Sequence, residues 1–194
     1  MDNYDVAIIG AGINGCSLAY ELHKRGKKVV VFEKEGIASG GSGAAGAFIN
    51  PKISKSGPLK ELIEEAYLYS LDFYRKNFTQ HTTIAPLLHI AKYTDDNEKV
   101  KYFKEHTRLN TADLPSQIKK RLKPHALSFS SVFLKDNAIV EAKEICQQML
   151  ADVKVVYEKL QTPKQKEGLW HLNGHKAKKI VLCTGAYEEV VEEA

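Results

Sequence analysis

The segment Gly10-Ala11-Gly12-Ile13-Asn14-Gly15 has the spacing G-x-G-x-x-G, and an acid, Glu33, follows roughly 20 residues on. In this arrangement the first glycine permits a tight turn, the second lets a pyrophosphate approach the backbone, and the third lets a helix pack against a strand. A helix opening at that point offers free N–H groups and a positive dipole end to phosphate. Glu33 can accept hydrogen bonds from both hydroxyls of an adenosine ribose, and its charge would repel a 2′-phosphate, which argues against NADP. The chemistry indicated is dinucleotide binding, with FAD and NAD both allowed by the spacing. A chance glycine-rich turn beside a structural acid is the plainer alternative. A second small-residue turn, Cys183-Thr184-Gly185-Ala186, returns late in the chain, where a second backbone approach to the same ligand is physically sensible.

Such residues need a strand before the glycines, a helix after them and a second strand ending at the acid. Asp5 to Gly10 reads as a buried strand, Val6-Ala7-Ile8-Ile9, ending in glycine. Helical spacing follows from Ile13 to Arg25, with Ile13, Cys16, Leu18, Ala19 and Leu22 inward and Gly26 closing the helix. Lys28 to Glu33 reads as a second buried strand, so the opening is a parallel βαβ unit. Gly36 to Gly57 is small and flexible, yet Ala44, Ala45, Ala47, Phe48 and Ile49 are too apolar for a solvated spacer. It reads better as a loop that lets backbone approach a ligand.

Leu59 to Phe78 reads as a long amphipathic helix, with Leu62, Ile63, Ala66, Leu68, Leu71, Phe73, Tyr74 and Phe78 toward its buried side. The pattern then changes: a strand from Thr83 to Tyr93, a helix from Asp95 to Leu109, a short helix from Leu114 to Leu122 and an extended stretch from Ser128 to Leu134. A helix is expected over Ile139 to Leu150 and a strand over Val153 to Tyr157. A hairpin follows, with Leu169–Leu172 and Ala177–Cys183 flanking Asn173-Gly174, and an acidic stretch closes the sequence at Glu188 to Ala194. The expected fold class is α/β, with residues 1–80 and 136–194 as two parts of a Rossmann-type domain. Residues 81–135 would be the start of an inserted α+β domain.

With 43% hydrophobic and 27% charged residues, the chain is neither disordered, collagenous nor membrane-spanning, and a net charge of +4 is too small to identify a nucleic-acid or membrane partner. No secretory leader precedes the first strand, no apolar run approaches the roughly 20 residues of a membrane span, and the odd set Cys16, Cys146 and Cys183 suits reduced thiols. A cytoplasmic protein is expected. Five of the seven histidines are scattered, and Asn173-Gly174 breaks the spacing of His171 and His175, so no metal site is expected.

Tyr4 to Gly12, Glu33-Lys34, the Ala38–Gly46 loop, Val153 to Leu160 and Leu182 to Ala186 together resemble the FAD-dependent amine oxidoreductases of the D-amino-acid oxidase type. Glycine and sarcosine oxidases belong there, as does the oxidase half of a bifunctional enzyme of tRNA wobble-uridine modification. Gly46 to Ser54, with the helix ending Phe73-Tyr74, is most similar to the last of these. The resemblance implies a glutathione-reductase-like FAD domain. Gly10, Gly12, Ile13, Asn14 and Gly15 would hold the pyrophosphate, and Glu33, with Lys34 beside it, the ribose. Ser39, Ser42 and Gly43 would line the pyrophosphate and ribityl chain, while Ala45, Gly46, Ala47 and Phe48 would approach the isoalloxazine. Leu160 would meet the adenine, and Thr184 with Gly185 would lie near the cofactor.

The implied reaction oxidises a C–N bond of an amine or amino acid by hydride transfer to flavin N5, followed by imine hydrolysis, with dioxygen or another acceptor reoxidising the flavin. In relatives an Arg and a Tyr from later in the chain hold a substrate carboxylate. Family members are nearly twice as long, so this chain is expected to be truncated, with its catalytic residues unassigned. Two further readings stay open: a non-catalytic flavin- or nucleotide-binding module, and an NAD-linked dehydrogenase. Lys119-Lys120-Arg121 and Lys176 to Lys179 would touch RNA if tRNA is a partner, and otherwise are solvated surface. Oligomeric state is not indicated.

Overall fold

A computed structural model of the chain describes residues 3–53, 57 and 59–185; Ser54, Ala186 and the acidic stretch 188–194 lie outside the described residues. In chain order the elements are β1 (Asn3–Ile9), α1 (Ile13–Lys24), β2 (Val29–Phe32), the single-turn α2 (Gly41–Ala44), β3 (Phe48–Ile49) and α3 (Lys60–Asn77). Then come β4 (Thr82–Ile84), β5 (Leu87–Ile90), α4 (Thr94–His106), β6 (Thr111–Ala112), α5 (Ser116–Lys119), β7 (Ser131–Leu134) and β8 (Ala138–Val140). The last are α6 (Ala142–Met149), β9 (Lys154–Val156), β10 (Lys164–Lys166), β11 (Leu169–Leu172) and β12 (His175–Leu182).

Two compact units form, residues 1–47 with 141–194 and residues 48–140. These boundaries differ from those expected at 80 and 136, because α3 and the two short strands β3 and β8 contribute to the core of the second unit.

The first unit is built on a six-stranded sheet of order β10-β11-β12-β1-β2-β9. β12, β1, β2 and β9 run parallel, with Ile9 level with Leu182 on one side and Phe32 on the other. Strands covered on both faces must be apolar throughout, and all four residues of β2 and the last four of β1 are buried. α1 and α6 pack together through buried Cys16, Ala19, Ile145, Cys146 and Met149. The Cys16 thiol bonds to the Ala11 carbonyl at 3.2 Å, and its hydrogen bond with Cys146, together with burial, raises its pKa, so it stays protonated. α1 ends in a Schellman motif: Gly26 (φ +71°) donates to His23 O and Lys27 to Leu22 O. Asn173 and Gly174 both have positive φ, as a type I′ hairpin requires, and Glu167-Gly168 makes a second such turn, joining β10 to β11, for which the sequence reading had no strand pair.

The second unit has two three-stranded sheets, β3-β8-β4 and β5-β7-β6, around Tyr67, Leu71, Val100, Phe103, Val132 and Leu134. Several sequence expectations change here. The single strand from Thr83 to Tyr93 is two strands in different sheets, broken at Ala85-Pro86, where proline has no N–H to give to a ladder. Ile139, expected on a helix, lies on β8 between Phe48 and Thr83, and the helix starts at Ala142. On α3 the buried stripe is Glu64, Tyr67 and Leu71, at helical spacing, while Leu62 and Leu68 are exposed. The buried Glu64 carboxylate is satisfied by Thr107 Oγ1, the Arg108 backbone N–H and Arg108 Nε.

Tyr67 Oη donates to the Asp136 carbonyl at 2.7 Å, and burial, with the Asp136 charge adding to it, pushes its pKa up to about 12. The folded pKa lies above the unfolded value of about 10, so the contribution to stability is complete below pH 10 and is lost as pH rises toward 12. Tyr67→Phe should therefore flatten the alkaline loss of stability in urea melts taken between pH 9 and 12. An unchanged pH profile would show that Tyr67 does not drive it.

Candidate functional site

Parallel strands bring their following loops to one edge of a sheet, and the glycine motif is one of those loops. In the first unit the C-terminal ends of β1, β2, β9 and β12 enclose a cleft of about 1000 Å³. That is the upper end of the usual range for ligand pockets, about 300–1,000 Å³. Gly10, Gly12, Ile13 and Asn14 line it from the β1–α1 turn, and Glu33, Lys34 and Glu35 from the end of β2. Ser39 to Ser42 close one side, residues 158–162 another, and Cys183, Thr184 and Gly185 complete it after β12.

The three motif glycines have different physical reasons. Gly10 has φ +103°, and a Cβ there would sit 2.5 Å from Cys183 O, so it allows the first loop and the late turn to meet. Gly15 is buried on α1, where a Cβ would lie 2.0 Å from Gly10 O, so it packs helix against loop and does not line the cleft. Gly12 is ordinary in conformation (φ −75°), and a Cβ there would meet only Ser42 Oγ, at 3.1 Å. The protein's own packing therefore does not require glycine at position 12. The space is left open to the cleft.

The start of α1 is suited to an anion. Gly12 is its N-cap and supplies no capping side chain, and the first turn carries no acid. Ser42 Oγ accepts from the Ile13 N–H at 3.0 Å, presenting a neutral oxygen to that helix end. Glu33 holds the edge of the cleft together: one carboxylate oxygen accepts from Ala11 N–H at 2.8 Å, the other from Glu35 N–H at 3.0 Å. Each oxygen keeps lone-pair capacity for a ligand hydroxyl. Burial raises the pKa of the Cys183 thiol, so it is a protonated wall of the cleft with no thiolate to act as nucleophile.

The fold and the cleft suit a dinucleotide, and the family comparison decides which. Residues 5–193 match the DAO family of FAD-dependent oxidoreductases. The chain belongs to the DAO family. FAD is that family's cofactor, and the open space at Gly12, the acid-free first turn of α1 and the carboxylate of Glu33 fit it. The chain is 28% identical over 152 residues to the tRNA 5-methylaminomethyl-2-thiouridine biosynthesis bifunctional protein MnmC of Campylobacter concisus, a match covering 77% of this chain and 23% of that one. A protein of the same name from Leptospira interrogans is 34% identical over 110 residues, covering 54% and 16%. Among solved DAO-like folds, glycine oxidase from Geobacillus kaustophilus superimposes with a TM-score of 0.71 at 21% identity, over 96% of this chain and 56% of that one. L-Proline dehydrogenase from P. horikoshii gives 0.73 at 17% identity, over 96% and 54%. The chain thus spans about half the length of these folds and less than a quarter of the bifunctional relatives.

Of the residues expected at a DAO cofactor site, Gly10, Gly12, Ile13, Asn14, Glu33, Lys34, Ser39, Ser42, Leu160, Thr184 and Gly185 line the cleft. Gly15 and Gly43 do not; a Cβ on Gly43 would lie 2.1 Å from Ala38 O, so this glycine lets the α2 turn close on Ala38. Ala45, Gly46 and Ala47 follow α2 outside the lining, and Phe48 stands 61% exposed at the start of β3 in the second unit. Sequence reasoning missed residues 158–159 and 161–162. The available signal was that β9 is a parallel strand, whose following loop must border the cleft. Among the described residues no helix is long and apolar enough to cross a membrane.

Proposed function

We propose that this chain is the FAD-binding portion of an oxidoreductase that oxidises a C–N bond of an amine. The observation that carries the reading is the unfilled space at Gly12, facing the α1 N-terminus in a cleft large enough for a dinucleotide. Asn14 and the first-turn N–H groups of α1 would face the pyrophosphate, with Ser42 alongside. Glu33 would accept the ribose hydroxyls, Leu160 would border the adenine, and Thr184 and Gly185 would close the late turn over the cofactor. Ala45, Gly46, Ala47 and Phe48 remain the proposed neighbours of the isoalloxazine. Bound FAD would supply the two-electron acceptor for amine oxidation. This chain's part is to bind and orient it and to exclude water from the strand ends.

The relatives' names support one substrate class. Glycine oxidase supports the fold alone at its low identity, whereas the Campylobacter and Leptospira relatives carry a tRNA-modification name, which favours an amine on a modified uridine of tRNA. The free thiols of Cys16, Cys146 and Cys183 favour a reducing, cytoplasmic setting.

Purified protein incubated with FAD and desalted should be yellow, with a flavin absorbance band at one equivalent. Anaerobic bleaching of that band by an amino acid or an aminomethylated uridine would support an oxidase. Loading without bleaching would favour a non-catalytic FAD-binding module, and failure to retain FAD would sink the reading.

A further inference from the structure

The parallel strands of the first unit have a second edge. At their N-terminal ends, opposite the glycine loop, lies a concavity of about 370 Å³ bounded by His23, Lys27, Lys28, Asp152 and Lys154. The basic edge continues across the sheet, because Asn3 at the start of β1 is level with Lys176 on β12. Lys154 is level with Ile180 through Val30 and Ala7, so it is offset from Lys176 by three strand spacings of about 4.8 Å across the sheet and by about 13 Å along it. Along β1 the start of the strand, level with Lys176, lies about 20 Å from Ile9 at the cleft end, whereas Lys154 lies only about 7 Å from the end of its own short strand.

The lysines there outnumber the carboxylates, Asp5, whose charge also acts on Lys27, and Asp152. Lys178 is paired with Asp5 at 2.8 Å, and the Lys28 ammonium lies 5.0 Å from the centre of the Tyr4 ring. Lys27, Lys154 and Lys176 carry no ion pair among the described residues. One carboxylate, Asp152, faces the concavity. Favourable interaction with the α1 C-terminus accounts for Lys24 and Arg25 but not for Lys154 or Lys176, which stand at strand starts. Among the described residues, the exposed large apolar side chains of this unit, Tyr157 and Leu182, lie at the opposite strand ends, away from this edge.

We propose that this strand-start edge is a docking surface for RNA, gripped through its phosphates by Lys27, Lys154 and Lys176. Its choice of RNA rests on the tRNA-linked reading above; the charge arrangement stands by itself. A folded RNA of several helical turns spans the distance from this edge to the cleft, so contact here would hold the RNA while one nucleotide is presented elsewhere. The grip is backbone recognition, which positions without reading sequence.

The test uses the FAD-incubated chain and fluorescently labelled bulk tRNA, with anisotropy measured from 50 to 200 mM salt. The triple variant K27E/K154E/K176E should bind at least tenfold more weakly than the parent at 100 mM salt. Its log affinity against log salt should be shallower by about two to three, roughly one unit for each phosphate no longer neutralised. The neutral variant K27Q/K154Q/K176Q should lie between, which guards against misfolding of the charge reversal. Unchanged affinity and slope in both variants overturns the proposal, as does a parent that binds no tRNA at 50 mM salt. Flavin absorbance in the same samples tests the FAD reading separately: tRNA binding that depends on these lysines in a protein that takes up no FAD would support the docking surface while sinking the flavin assignment.

Discussion

Gly10→Ala is expected to destabilise the protein by about 4 kcal/mol and to lower its melting temperature by roughly 8–16 °C. Two costs add. An L side chain at φ +103° is strained, at about 1–3 kcal/mol, and a methyl group 2.5 Å from Cys183 O forces backbone apart at about 1–3 kcal/mol more. For a chain of this size each kcal/mol corresponds to about 2–4 °C. Gly15→Ala sets a harder contact, 2.0 Å from Gly10 O, against about 1 kcal/mol gained in helix propensity, so it should fall below the parent by a smaller margin. A methyl group on Gly36 would meet nothing within 4 Å, and the residue has no positive φ, so Gly36→Ala should stay within about 0.5 kcal/mol of the parent. Thermal melts by circular dichroism check the order. If Gly10→Ala melts with Gly36→Ala, the contact between the glycine loop and the late turn is not what holds this edge of the sheet.

Gly12→Val should do the opposite: keep the fold and lose the cofactor. Its backbone, at φ −75° and ψ 179°, is open to any residue, and the only near neighbour of a Cβ is the end of the Ser42 side chain, which can rotate away at the cost of its hydrogen bond from the Ile13 N–H. The melting temperature without FAD should stay within about 4 °C of the parent, corresponding to no more than about 1–2 kcal/mol. The added methyl groups would occupy the space that a pyrophosphate needs to reach the first turn of α1. FAD affinity, followed by quenching of flavin fluorescence, should fall by at least a hundredfold, which corresponds to about 2.7 kcal/mol. Retained affinity in a folded Gly12→Val protein would refute the assigned site. Together the glycine variants separate residues the fold needs from the residue the ligand needs, a distinction that their shared motif conceals.

The βαβ opening was legible because its signals are local. Four-residue apolar runs, helical spacing from Ile13 and an acid at position 33 all act within about thirty residues, and the structure has β1, α1 and β2 within a residue or two of the expected ends. The hairpin at Asn173-Gly174 was legible for the same reason, since two adjacent positive φ angles are a demand that few residues meet. α3 shows where such reasoning stops. Its sequence carries two apolar stripes, and periodicity alone cannot say which faces the core. The stripe through Tyr67 and Leu71 is buried, and it carries Glu64 inward because Thr107 and Arg108 are there to satisfy the carboxylate.

What the sequence determined by itself is a dinucleotide-binding turn, its helix and its acid, because each depends on backbone geometry set by neighbouring residues. Only the tertiary structure decided that residues 158–159 and 161–162 join Leu160 in the cleft, that Gly43 supports backbone instead of lining it, and that α3 belongs with the second unit. Those outcomes depend on which distant strands pair. β9 reaches the cleft by adding beside β2, and β12 by adding beside β1, and pairing between segments more than a hundred residues apart leaves no periodic trace in either one.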